Sequence, residues 1–130
     1  MTTHRVRVET DNAPAAIGPY SQAIRSDGLV LTSGQIAMDP ATGEMLGNGD
    51  VEAETAQVLK NLQAVLEASG AGMGDVLKCT VFLVDMGDFP RVNALYAEAF
   101  PDPAPARSCV AVAALPKGAR VEIEAIARIP

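Results

Sequence analysis

At 130 residues the chain can bury one hydrophobic core and is too short to expect two, so a single domain spanning residues 1–130 is expected. Its 48% apolar and 20% charged residues exclude an intrinsically disordered chain. A net charge of −6, with the basic residues scattered, excludes the basic stripe that nucleic acids require, and no nucleic-acid partner is expected.

Val6-Arg7-Val8-Glu9 reads as a short first strand, ended by the turn-forming run Asp11-Asn12-Ala13-Pro14. The segment from Ile17 to Arg25 opens with Gly18-Pro19, which fixes the backbone direction, and then alternates weakly as a second strand. Ser26-Asp27-Gly28 supplies a hairpin turn, and Leu29 to Ile36 reads as a more deeply buried third strand. Gly34 inside it marks a bulge, a close approach by a ligand or another backbone, or simply a packing glycine. Asp39-Pro40-Ala41-Thr42-Gly43 places Pro and Gly where a β-turn uses them.

From Asp50 the apolar period becomes helical. Val51, Val58, Leu59, Leu62, Val65 and Leu66 form one stripe, Asp50 caps it, Glu52 and Glu54 suit the first turn and Gly70 suits the far end. Gly70-Ala71-Gly72-Met73-Gly74 looks superficially like a phosphate cradle, but it follows a helix where a dinucleotide fingerprint follows a strand, so it reads as a helix exit. Val76 to Val84 is the clearest strand, with Leu77, Cys79, Val81 and Leu83 on one face and Lys78, Thr80 and Phe82 on the other. A second helix is expected from Phe89 to Phe100, capped by Asp88, with Pro90 in its first turn and Val92, Leu95, Tyr96 and Phe100 buried.

Pro101, Pro103 and Pro105 end that helix and stiffen the approach to Pro105-Ala106-Arg107-Ser108-Cys109-Val110, a fifth strand with Arg107, Cys109 and Ala111 on one face. Val121 to Ala127 follows as a sixth, its apolar face made by Val121, Ile123, Ala125 and Ala127, with Glu122 and Glu124 together on the other. Charge among so many apolar residues is costly without a partner, so these residues form either an Arg/Glu ion pair on a solvated face or a ligand site. The order of elements argues for an α+β fold with one sheet and both helices on one face. The other face is left uncovered, and a homo-oligomer is expected to bury it.

Cys79 and Cys109 are far apart and belong to no CxxC pair, which removes support for a disulfide or a zinc site. His4 alone anchors neither a metal nor a Ser/His triad. No run reaches the length of a membrane span, and Met1-Thr2-Thr3-His4-Arg5 lacks the apolar stretch of a signal peptide, so a cytoplasmic location without membrane contact is expected. Any chemistry must therefore run on Arg, Glu, Tyr, Cys, backbone groups and water.

Taken together, Asn12-Ala13-Pro14, Ile17-Gly18-Pro19-Tyr20-Ser21-Gln22-Ala23, Ser33-Gly34-Gln35-Ile36, Val92-Asn93-Ala94-Leu95-Tyr96, Pro105-Ala106-Arg107-Ser108-Cys109-Val110 and Val121-Glu122-Ile123-Glu124-Ala125 resemble the Rid family. It is also called the YjgF or reactive intermediate deaminase family, and the RidA branch is the most similar. The resemblance covers nearly the whole chain. It implies a chorismate-mutase-like (YjgF-like) fold assembled as a homotrimer, with active clefts between subunits. It also implies hydrolysis of reactive enamines and imines, typically 2-aminoacrylate and 2-iminobutanoate released by pyridoxal-phosphate enzymes, to 2-oxo acids and ammonium. No cofactor or metal of the family's own is implied.

On the same resemblance Arg107 holds the substrate carboxylate, a task suited to a planar bidentate donor. Glu122 positions or activates the attacking water and manages the proton on nitrogen, and like charge from Glu124 raises its pKa if the two lie close. Tyr20, Ser33, Gly34 and Asn93 line the pocket, and Cys109 borders the substrate through its backbone rather than as a nucleophile, since no histidine is available to activate it. A hairpin turning at Pro116-Lys117-Gly118 would set Arg107 several residues from Glu122, and the family's fold avoids this by placing the final strand elsewhere in the sheet. A non-catalytic binder of small carboxylates, or a stress-related interaction protein, would use the same cleft and need Arg107 but not Glu122. A ribonuclease, the activity also attached to relatives, is disfavoured by the acidic charge and the missing histidine pair.

Overall fold

The structure, a computed structural model, describes residues 4–130. Met1-Thr2-Thr3 of the stretch read as lacking a signal peptide lies outside the described residues. Eight elements follow in chain order: β1 (Val6–Val8), β2 (Ala23–Ser26), β3 (Leu29–Thr32), α1 (Val51–Ala68), β4 (Val76–Leu83), α2 (Phe89–Ala99), β5 (Ala106–Ala111) and β6 (Val121–Arg128). One six-stranded sheet runs β1-β2-β3-β6-β4-β5, antiparallel throughout except where β4 and β5 pair in parallel. The final strand thus lies between β3 and β4, and the last two strands are not a hairpin.

The apolar alternation of β6 puts Val121, Ile123, Ala125 and Ala127 into the core. There they meet the α1 stripe of Val51, Val58, Leu59, Leu62, Val65 and Leu66, and Val92, Tyr96 and Phe100 of the α2 region. Both helices cover this side of the sheet. The opposite face keeps Leu29, Leu31, Val110 and Ile126 exposed, an apolar stripe across three strands.

Local signals explain most element ends. The Asp50 carboxylate accepts the Glu52 amide at 3.0 Å, and Gly70 takes φ +91° just past the end of α1, as a left-handed helix stop requires. Asp27 at φ 49° and Gly28 at φ 82° make the tight β2–β3 turn. The glycine run from Gly70 to Gly74 leaves the helix through a single 3₁₀ turn at Met73–Asp75 and opens no second helix.

Four expectations about strand extent and burial need correction. The second strand begins only at Ala23, because Ile17 to Gln22 is irregular, tied by a local Tyr20–Gly18 backbone bond and by Ser33, whose amide and hydroxyl donate to the Gln22 and Ser21 carbonyls, and not by a continuous ladder. The third ends at Thr32, since Ser33-Gly34 forms a bulge before Gln35 re-pairs with Ile123, one residue out of the β3–β6 register. A second bulge in β4, between Val76 and Lys78, turns Leu77 out at 48% exposure and puts Val76 in the core in its place. Leu95 is only partly buried.

Asp88 stands at the head of α2 but accepts no capping bond. Its buried carboxylate instead takes Arg91 and Arg120, each at 2.7 Å, while the Arg120 amide donates to Glu54 at 3.0 Å. The cluster ties the start of β6 to both helices. Asp88→Ala removes the shared anion and strands two guanidinium groups, so it is expected to lower the thermal midpoint by roughly 5–10 °C, as read by calorimetry.

Candidate active site

The expected site residues fall into two groups on opposite sides of the sheet. Arg107 lies level with Cys79, and Cys109 with Val81, so both point to the helix side. Glu122 lies level with Phe82, and Glu124 with Thr80, on the open side. Within one protomer, therefore, Arg107 and Glu122 do not meet.

The first group surrounds Glu122. A pocket of about 380 Å³ is lined by Ile17, Tyr20, Ser33, Gly34, Ile36, Lys117 and Glu122 among others. Its shape comes from the Ser33-Gly34 bulge. The Gln35–Ile123 pair carries Gly34 against the Glu122 side chain, so closely that a Cβ at position 34 would stand 2.7 Å from the Glu122 carboxyl carbon. A larger residue there would displace the Glu122 side chain, and the backbone angles themselves make no demand for glycine.

Burial raises the Glu122 pKa above the ordinary carboxylate value, and the like charge of Glu124 adds to the shift. Ser33 donates its hydroxyl proton to the Ser21 carbonyl at 2.5 Å, which leaves only lone pairs for a ligand. Tyr20 is half exposed and stands at the rim.

Two side chains that the motif reading left without a role hold these walls. Gln22, buried, accepts the Thr10 amide at 2.8 Å and donates to the carbonyls of Thr10, Ala13 and Pro14. Asn61 of α1 donates to the carbonyls of Ile36 and Met38 and pins the pocket floor. A buried amide between polar turn signals was the available clue for Gln22; Asn61 is masked by the apolar stripe around it.

The second group surrounds Arg107. Its guanidinium lies 4.8 Å from the Tyr96 ring centre and 5.2 Å from that of Phe89, and donates to Asn93 Oδ1 at 2.7 Å. The aromatic platform and the amide fix its plane and leave its other donors to an open cleft formed with Ala97, Pro101 and Pro105. Tyr96 buries its hydroxyl without a partner of hydrogen-bond geometry; its polar neighbour is the Cys79 thiol. Burial raises the pKa of both groups, and that of Cys109, against the opposing pull of Arg107. The upward shifts disfavour the thiolate, the form that attacks as a nucleophile.

Among the described residues no cluster of His, Cys, Asp or Glu is placed to hold a metal ion, and no helix is long and apolar enough to cross a membrane.

Residues 10–129 match the family described as Endoribonuclease L-PSP. The chain is 51% identical over 120 residues to the 2-iminobutanoate/2-iminopropanoate deaminase of Mus musculus, with 92% of this chain and 88% of the mouse protein covered. Against the protein of the same name from Salmonella typhimurium it is 50% identical over 123 residues, covering 92% and 94%. The structure superimposes on that of RidA from an Antarctic Psychrobacter with a TM-score of 0.92 at 44% identity, covering 96% of this chain and 100% of the other. Likeness of this extent, in sequence and in fold, makes the chain a member of the YjgF/Rid family.

Proposed function

We infer that this protein hydrolyses 2-imino acids such as 2-iminobutanoate and 2-iminopropanoate, and the enamines in equilibrium with them, to 2-oxo acids and ammonia. Relatives of about half identity over most of the chain carry that activity in their names. The observation that carries the mechanism is the placement of Arg107 and Glu122 on opposite sheet faces. A second copy that brings its Arg107 edge to this copy's Glu122 pocket completes the site. The uncovered stripe of Leu29, Leu31, Val110 and Ile126 supplies an apolar surface for such an assembly, a homotrimer on the family pattern. A cytoplasmic single-domain enzyme fits the sequence.

In that cleft Arg107 clamps the substrate carboxylate with its free donors, and Asn93 and Tyr96 hold the guanidinium plane. Water adds to the imine carbon. Glu122 takes a proton from the water and delivers it to nitrogen; it then takes the proton of the new hydroxyl and passes it to the same nitrogen, so that the C–N bond breaks with loss of ammonia and the oxygen becomes the carbonyl of the 2-oxo acid. The upward shift of the Glu122 pKa, caused by burial and then by Glu124, makes its carboxylate a better proton acceptor than a free glutamate, as a group that must both take and give a proton requires. Ser33, able only to accept, orients the N–H of the substrate. Cys109 borders the Arg107 side, and Tyr20 and Gly34 close the Glu122 side.

Co-expression of Arg107→Ala and Glu122→Gln chains under two tags tests the shared site. Each alone is inactive, whereas random assortment leaves intact sites at roughly a quarter of all interfaces, and at one of the three in a mixed trimer. Recovery near that fraction supports a cleft built from two copies. No recovery in assemblies proven to be mixed sinks it. A smaller test follows from the bulge: Gly34→Ala pushes the Glu122 carboxylate aside, so kcat should fall by at least about tenfold while stability changes by about 1 kcal/mol or less.

A further inference from the structure

Lys117 has no part in the chemistry above, and it is the single cation lining the Glu122 pocket among the described residues. It makes no hydrogen bond or ion pair among the described residues. Its backbone is also constrained: φ 55° and ψ 27° place a long-chain residue in the left-handed region, which elsewhere among the described non-glycine residues only Asp27 and Asn48 adopt, and it stands between Pro116 and Gly118 at φ 69°. Glycine would take that conformation at lower cost, so something other than turn geometry favours a lysine there.

The charges around the pocket indicate what. Glu122 lies inside it with Glu124 two residues on, and the whole chain carries −6. A 2-imino acid is itself an anion, so its approach from this side is opposed unless a cation stands at the opening. Across Tyr20 a neighbouring groove holds Arg5 and Arg7, but Glu9 and Asp11 line it as well. Lys117 is the free positive charge on the pocket itself.

We propose that Lys117 is a specificity-determining residue: held on a strained turn at the Glu122 pocket, its ammonium draws in carboxylate-bearing substrates in preference to uncharged ones. This rests on the reading of the pocket as a 2-imino-acid site. A long, unpaired ammonium attracts at a distance and lets go, which suits capture ahead of the rigid Arg107 clamp.

The test uses 2-oxobutanoate, a stable product, and its uncharged amide as probes, with binding measured by calorimetry on the assembled protein at about 0.05 M and about 0.5 M salt. Lys117→Gln and Lys117→Gly are expected to weaken 2-oxobutanoate about threefold to tenfold at low salt, less at high salt, and to leave the amide unchanged. Lys117→Arg should bind like the parent. Glycine suits the observed backbone, so that variant remains folded and informative even if Lys117→Gln does not. Parent-like binding by the neutral variants, an equal loss for the amide, or a loss in Lys117→Arg matching that in Lys117→Gln would each overturn the proposal, as would a parent protein that binds no 2-oxobutanoate. Imine hydrolysis by the parent, followed in parallel, separates the two questions. A parent that binds 2-oxobutanoate in a Lys117-dependent way yet hydrolyses no imine refutes the deaminase and keeps the selecting cation.

Discussion

Arg107→Ala is expected to lower kcat/KM for 2-iminobutanoate by about 10²–10³-fold, the cost of removing one partner from a desolvated charge-assisted pair at about 1.4 kcal/mol per decade. The loss should appear largely as weaker binding, with kcat also reduced because an unclamped carboxylate leaves the imine carbon misplaced relative to the water. Arg107→Lys should recover only a small part. A lysine ammonium cannot present two parallel donors, nor stack as a plane between Asn93 and the rings of Tyr96 and Phe89. Folding should survive both changes, since Arg107 sits at the exposed edge of β5. The measurement couples a threonine dehydratase to the protein and follows oxo-acid formation above the spontaneous rate. An Arg107→Ala protein that keeps parental kcat/KM would remove the carboxylate clamp from the mechanism.

How much of this was legible in the sequence depends on the range over which each signal acts. The α1 stripe, its Asp50 cap, the Gly28 turn and the alternation of β6 are local, and each is found where the pattern puts it. The bulges are not local. Leu77 has the period of a core residue, and only the pairing of Val76 and Lys78 with β6 turns it outward. Asp88 reads as a cap because of its position, yet two arginines, one of them Arg120 from far along the chain, take its carboxylate.

The same holds at the site. Gly34 allowed three readings in sequence, a bulge, a close approach by a ligand or another backbone, or a packing glycine; the structure shows the bulge, with the Glu122 side chain packed against the glycine. The residues carrying charge were all visible, but their separation onto two faces was not, because it follows from β4 lying between β5 and β6. Residue type marks which groups do chemistry, whereas strand order decides which of them can meet.

Glu122→Gln is the change whose two consequences should have opposite signs. For activity, the amide can neither take a proton from water nor return one to nitrogen, so kcat is expected to fall by about 10²–10⁴-fold, the usual worth of a positioned acid–base group. The limb of the pH–rate profile that reports ionisation of Glu122 should vanish with it. For stability the direction reverses. Burial, and then the like charge of Glu124, raise the Glu122 pKa in the folded protein above the 4.5 of a free side chain, so folding favours the protonated form. That stabilisation is fully present below the unfolded-state pKa and is lost as pH rises through the folded-state value, above which an ionised, half-buried carboxylate is left. Glutamine has nothing to ionise. The variant should therefore melt above the parent at pH 7–8, with the gap closing as pH falls toward about 4, where Glu122 is neutral in both states. Thermal midpoints across this range, set beside kcat from the coupled assay, decide the matter. A variant both inactive and less stable at pH 8 would mean that Glu122 is a structural carboxylate, whereas one that is stable and fully active would leave Arg107 binding a substrate that some other group hydrolyses. Inactivity joined to a pH-dependent gain in stability is the signature of a carboxylate kept in an unfavourable place for its chemistry.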